Sequence, residues 1–302
     1  MRVATFNVNG IRAAHRRGFR GWLDDCAPDV VALQEVRCPV GVLPEDAFGG
    51  YHAVYDSGEL AGRNGVGVLT RQPPVAVRSW SGQAWQIGPD AANLVDAPPG
   101  PLARSLRGFA TEGRYVEVDL ADRALTVASL YLPKGGLPAH LQRPGNMRER
   151  PDGGAKYQRK MDFLDGFARQ LRRSRRYALA RGREFLLLGD LNIAHSRLDL
   201  TNWRSANRAV GFLPEERNWL ADQLGARTLV DVQRSLHPDE PGPWSWWSWL
   251  GSSFEKDVGW RIDYHLASPR LAGTASRAWT ERPTSRELRI SDHAAVVVDY
   301  AF

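Results

Sequence analysis

The sequence has very little cysteine: Cys26 and Cys38 are the only two in 302 residues. Their spacing matches no redox or zinc pattern, and two residues cannot build a disulfide framework. Both are therefore read as reduced thiols of a cytoplasmic protein. Histidine and cysteine nowhere cluster at the intervals of a structural zinc site, which turns attention from zinc toward hard cations. Long apolar runs are also missing. The longest, Phe185 to Leu188 and Ala294 to Val298, are far too short to cross a bilayer, so no membrane association is expected. The N-terminal stretch Met1-Arg2-Val3-Ala4-Thr5-Phe6-Asn7 has no signal-peptide core. There is neither an internal repeat nor a linker between self-sufficient halves. A single domain over 1–302 is expected, acting as a monomer.

What is abundant is basic charge and tryptophan. Forty Lys+Arg against 34 Asp+Glu leave a net charge of +6, a balance that favours polyanionic partners through counterion release. Arginine serving only solubility is the competing explanation. Five of the eleven tryptophans fall between Trp244 and Trp260. Read as an extended strand, Trp244 and Trp246 would share one face and Trp247 and Trp249 the other. Trp247 and Trp249 are assigned to packing, and Trp244 is left without a role.

Apolar segments place the elements. Strands are expected at 2–6, 30–33, 65–71, 185–188, 261–267 and 294–300, with a hairpin from 115–120 and 125–132. Helices are expected from Ile11 to Cys26, stopped by Pro28, and from Lys156 to Arg175. Residues 81–108 and 134–156, rich in proline and glycine, read as loops of a length that is often functional. Strands punctuated by helices suit two sheets with helices outside.

An acid, amide or histidine stands at strand exit after strand exit. Asn7, Glu35, Tyr131, Asp190, Asn192 and Asp263 follow or end strands, and Asp292-His293 precedes one. Each alone is explained by turn preference. Together they suggest convergence at one rim, where metal-assisted phosphodiester cleavage is possible. Magnesium needs only one or two protein carboxylates, so Glu35, Asp190 and Asp292 suffice without a compact motif. Asp190 can act as base with Asn192 orienting water, and His293 can donate to a phosphate oxygen, held in one tautomer by Asp263. A satisfied core histidine is the competing account of His293.

These segments resemble exonuclease III and the AP endonucleases of the endonuclease/exonuclease/phosphatase superfamily. The matching pieces are Phe6 to Arg12, Leu33-Gln34-Glu35, Tyr131-Leu132-Pro133, Gly189 to Asn192, Gly211 to Arg217, Trp244 to Trp249, Gly259 to Tyr264 and Ser291-Asp292-His293. They follow the family's order over nearly the whole chain. The resemblance implies a DNase I-like four-layer α/β sandwich, two mixed β-sheets packed face to face with helices outside. It implies a Mg²⁺-dependent enzyme (Mn²⁺ being the other option) acting on double-stranded DNA at abasic sites or 3′ ends. Glu35 would bind metal with Asn7 and Asp292 near it, Asp190 would activate water, and Asn192 would position it. Asp263 would pair with His293, and Tyr131 would contact the scissile phosphate or assist the leaving group. Trp246, Trp260 and Ile262 would wall a pocket for an extruded abasic sugar.

Two features depart from the family pattern. Lys134 follows Tyr131-Leu132-Pro133 where the family carries a neutral amide, and residues 81–108 are longer than in compact relatives. Separately, Arg143, Arg148, Arg150, Lys156, Arg159 and Lys160 form a broken basic stretch. The stretch is expected to insert toward DNA and hold the flanking phosphates, with Arg148 and Arg150 as its chief contacts, against a plain solvated loop. Arg172, Arg173, Arg175 and Arg176 are read as a solvated face. Two other functions stay open: a superfamily phosphatase or phosphodiesterase on a non-DNA substrate, and a catalytically silent DNA-binding protein. Sequence leaves undecided the balance of endonuclease, exonuclease, 3′-phosphatase and RNase H activities, and whether one metal or two is used.

Overall fold

A computed structural model describes residues 1–82, 84–88, 95–96, 101–143, 145 and 150–302. Its strands are β1 (Arg2–Asn7), β2 (Val30–Gln34), β3 (His52–Asp56), β4 (Val66–Thr70), β5 (Ala76–Ser79), β6 (Trp85–Ile87) and β7 (Val95–Asp96), followed by β8 (Tyr115–Asp119), β9 (Leu125–Tyr131), β10 (Glu184–Asp190), β11 (Val230–Asp231), β12 (Asp263–Ala267), β13 (Ala275–Thr280) and β14 (Val296–Tyr300). They form two sheets, ordered β13-β14-β1-β2-β4-β3-β6 and β11-β12-β10-β9-β8-β5-β7. Both are mixed. β1 runs parallel to β2 and β9 parallel to β10, whereas β14 and β12 lie antiparallel to β1 and β10.

Side-chain alternation explains the layers. Val3, Val30, Ala32, Leu186 and Leu188 face a core between the sheets. Their neighbours Ala4, Val31 and Leu33 face an outer core with helices α1 (Ile11–Arg16) and α2 (Phe19–Cys26). On the other side Phe185 and Leu187 pack with Phe163 and Phe167 of helix α3 (Ala155–Ala180). Strands covered on both faces need no polar alternation, which is why they read as continuous apolar runs. The expected four-layer sandwich is the fold observed.

Several expectations change. The first helix is two, because Gly18 adopts φ 97 and turns the chain between them. α3 is longer than expected and ends at Ala180. The 81–108 segment is not all loop: besides β6 and β7, a 3₁₀ turn over Arg104–Phe109 buries Leu106 and Phe109. The arginines of α3 are also more than a solvated face. Arg173 donates to the Pro101 carbonyl, and Arg175 donates to those of Arg227 and Thr228.

Candidate active site

The topology brings one set of strand ends together. Parallel neighbours β1 and β2 deliver Asn7 and, one residue past β2, Glu35; parallel neighbours β9 and β10 deliver Tyr131 and Asp190. The antiparallel strands contribute from their beginnings. Asp263 opens β12 directly opposite Asp190, and His293 precedes β14 beside β1. All therefore share one rim. Asn9, Glu35, Arg37, Tyr131, Lys134, Asp190, Asn192, Val210, Gly211, Trp246, Trp260, Ile262, Asp292 and His293 line a single cavity of 290 Å³ there.

Asn7 Nδ2 donates to Glu35 Oε1 at 2.8 Å and to Asp190 Oδ2 at 2.9 Å, while its Oδ1 accepts the Asn9 N–H. Its oxygen is thus turned away from the acids. Both oxygens of Asp292 also have partners, Asn9 Nδ2 at 2.7 Å and Trp246 Nε1 at 3.1 Å. Among the described residues, Glu35, Asp190 and His293 are the group whose ligand atoms come within 4.8 Å of one another and could hold a metal ion. Its donor set is two carboxylates and one imidazole with no thiolate, and the carboxylates suit a hard cation. Arg37 is ion-paired with Glu35.

Asp190 Oδ1 accepts the Asn192 backbone N–H at 2.8 Å, and Asn192 Nδ2 donates to the Leu132 carbonyl at 2.9 Å. Burial raises the Asp190 carboxyl above its ordinary value, and the negative Asp263 adds to the shift. His293 Nδ1 lies 2.8 Å from Asp263 Oδ2, which leaves Nε2 facing Asp190 Oδ2 at 3.8 Å. Burial opposes charge on this imidazole, but the Asp263 carboxylate outweighs it and raises its proton affinity. Asp292 is held below the usual carboxylate value: burial opposes this, but His293, Trp246 and Asn9 prevail. The Tyr131 hydroxyl is pushed up by burial and by Glu35 and Asp190, so it keeps its proton.

The tryptophan segment is not a strand. Trp246 alone makes bridges, to Trp260 and His293. Trp246 and Trp260 meet edge to face at 6.5 Å with Ile262 beside them in one apolar group. Trp247 is buried against Phe254 and Ala294, and Trp244 packs there too rather than sharing a face with Trp246. Trp249 is only half-buried, with the guanidiniums of Arg289 and Arg17 at 4.1 and 5.2 Å from its ring centre. The packing role expected for it is therefore only partial.

The basic stretch divides as well. Lys160 is buried, with Nζ bonded to Glu216 Oε1 at 2.7 Å, Asn192 O at 2.9 Å and Lys134 O at 3.2 Å. Arg159 pairs with Glu112 and stacks over Phe109. Neither belongs to a loop surface, because both sit on α3. Arg150 is exposed, and Arg148 lies outside the described residues.

Asn9, Arg37, Val210, Gly211 and Ser245 are not singled out by the sequence as site residues, and Lys160 is marked there only as part of the basic stretch expected to meet DNA phosphates. Ser245 Oγ accepts the backbone N–H groups of Ile262 and Asp263, each at 3.1 Å. Asn9, Glu35, Arg37 and Asn192 all adopt positive φ, between 45 and 51°. Such backbone settings cluster at functional sites, but only the Asn9-Gly10 turn hints at them in the sequence.

Known proteins share the sequence pattern and the fold of this chain. Residues 4–293 match the model of the Endonuclease/Exonuclease/phosphatase family. The chain is 27% identical over 300 residues to an exodeoxyribonuclease of Bacillus subtilis, covering 98% of each. It is 26% identical over 272 residues to a DNA-(apurinic or apyrimidinic site) endonuclease of Dictyostelium discoideum, covering 90% of this chain and 63% of that one. A 3′–5′ exonuclease from Neisseria meningitidis has the same fold, with TM-score 0.76 at 24% identity over the whole of both chains.

Proposed function

Since the chain belongs to the endonuclease/exonuclease/phosphatase family, we propose that it is a Mg²⁺-dependent nuclease of duplex DNA. It would incise 5′ to abasic sites and trim 3′ ends, with residues 1–302 working as one domain. The convergence of Glu35, Asp190, Asn192 and the His293–Asp263 pair at one cavity carries this reading. Relatives named as an exodeoxyribonuclease and an apurinic-site endonuclease support it.

Glu35 would hold the metal, with Asn7 orienting the carboxylate and Asp292 near it through Asn9. A bound divalent cation supplies Lewis-acid charge for the phosphate oxygens. Asp190 takes the proton of a water positioned by Asn192; a carboxyl raised by burial is better matched to that task at neutral pH. The water oxygen bonds to phosphorus, the P–O3′ bond breaks, and O3′ leaves with a proton. Tyr131 retains a proton it can share with the phosphate or the leaving oxygen. His293, protonated and aimed by Asp263, donates through Nε2 to a phosphate oxygen. Trp246, Trp260 and Ile262 would accept an extruded abasic sugar and reject a bulkier base-bearing nucleotide. The exposed Arg150, with Arg148, would hold neighbouring phosphates.

The test uses three duplexes: one with an abasic analogue, one with a recessed 3′ end, one with a 3′-phosphate. Cleavage with Mg²⁺ that stops in EDTA and is lost in Asp190→Asn is expected. Cleavage that survives EDTA, or full activity in Asp190→Asn, overturns the mechanism. Inert DNA with turnover of a small phosphate ester would favour the non-DNA alternative.

A further inference from the structure

The geometry points to Lys134 as the residue that selects a phosphomonoester terminus over an internal phosphodiester. This inference rests on the nuclease reading above and names a preferred substrate class for that site.

The cavity's cations are unequal. Arg37 is committed to Glu35 and His293 to Asp263. Lys134 also lines the cavity, is exposed, and makes no ion pair among the described residues. Among the described lining residues it is the cation with no acidic partner, in a cavity that also holds Glu35, Asp190 and Asp292.

Its backbone is held firmly. The Lys134 carbonyl accepts from the buried Lys160 ammonium at 3.2 Å. The next residue, Gly135, has φ +79, and a Cβ there would come 2.6 Å from Lys160 Cδ. At Gly136 a Cβ would come 2.9 Å from Lys156 Cβ. The turn is therefore pressed onto α3 at two successive glycines, and a bulkier side chain at either would push it off. Lys160 also bonds the Asn192 carbonyl at 2.9 Å. One buried ammonium thus couples the Lys134 turn to the turn that carries the water-positioning amide.

An ammonium is a point charge whose attraction grows with the charge of its partner. A terminal phosphate carries about −1.5 to −2 at neutral pH, whereas an internal phosphodiester carries one negative charge. A neutral amide at this place would bond either phosphate without reading that difference. Lys134 would therefore favour the terminal phosphate, with water again attacking phosphorus and the strand's 3′ oxygen leaving as a hydroxyl.

The experiment compares kcat/KM for two duplexes of identical sequence, one ending in a 3′-phosphate and one containing an internal abasic analogue. Wild type, Lys134→Gln and Lys134→Arg are measured with Mg²⁺ at two salt concentrations. In Lys134→Gln the 3′-phosphate reaction should fall at least fivefold relative to the abasic reaction, with Lys134→Arg keeping most of the preference. Equal loss on both substrates, or no change in their ratio, overturns the role of Lys134 and leaves the nuclease reading standing. A wild-type protein inert on both duplexes overturns both.

Discussion

The side-chain amide of Asn7 donates to Asp190 Oδ2 at 2.9 Å, joining residues 183 apart in the chain. The same nitrogen reaches Glu35, so one amide fixes the relative position of two acids in different sheets. Asn7→Ala should leave both carboxylates without their common donor. We expect kcat to fall about 100-fold, roughly 3 kcal/mol of barrier, with KM changed far less. Asn7→Asp should be worse, because a third negative charge enters the cluster. Steady-state kinetics on an abasic duplex decide it; a loss confined to KM would mean that Asn7 only binds substrate.

Asp263 should act chiefly through His293, its charge on Asp190 being the smaller contribution. Its Oδ2 accepts the Nδ1–H hydrogen bond of His293 and leaves Nε2 directed into the cavity, while its Oδ1 is buried with no hydrogen-bond partner among the described residues. Asp263→Asn offers an amide that can present either donor or acceptor and loses the charge. A drop in kcat on the order of 10²–10³-fold is expected, of the size that follows loss of a transition-state donor. The double variant Asp263→Asn/His293→Ala should be little worse than His293→Ala. Additive losses would show that the two residues work separately.

The polar residues of the site were legible because each closes or opens an apolar run, and the runs are long enough to mark a strand. Asn7, Glu35, Asp190 and His293 could therefore be named from the chain alone. Their partners could not be. A hydrogen bond such as Asn7 to Asp190 depends on which strands are neighbours, and β1 and β10 lie in different sheets. Lys160 looked like one more charge in a basic stretch. Its burial follows from which face of α3 meets Glu216, and helical spacing does not reveal that. The tryptophan run misled for a local reason: alternation holds only in a regular strand, and here Trp246 alone pairs.

Acid should weaken the protein through Asp199. This carboxylate is buried against Arg261 Nε at 2.7 Å and Arg234 Nη2 at 2.6 Å. Burial alone would raise it, but the two guanidiniums lower it below its ordinary value of 3.8. A depressed folded-state value gives stability that is fully present above the unfolded value and is lost as pH falls below it. Asp199→Asn should cost about 3 kcal/mol at pH 7, since Arg261 and Arg234 lose a buried partner. Urea midpoints for the variant and the wild type should converge as pH drops below about 4. A constant gap at every pH would mean that packing, not charge, sets the loss.

Lys160 and Glu216 form a second buried pair, at 2.7 Å, but this one supports the site. Glu216 Oε2 also caps the backbone N–H of Leu213 at 3.0 Å, at the start of helix α4 (Pro214–Gln223). Burial lowers the Lys160 ammonium despite Glu216, so desolvation here is large. Lys160→Met leaves Glu216 buried and unpaired, which should cost about 3–5 kcal/mol. Lys160→Met/Glu216→Gln removes both charges and should recover much of that stability. It should not recover activity, because the Asn192 and Lys134 carbonyls still lack the ammonium that ties their turns together. Thermal melts and kcat on the same two variants separate the effects. If activity returned in step with stability, Lys160 would be serving only the fold.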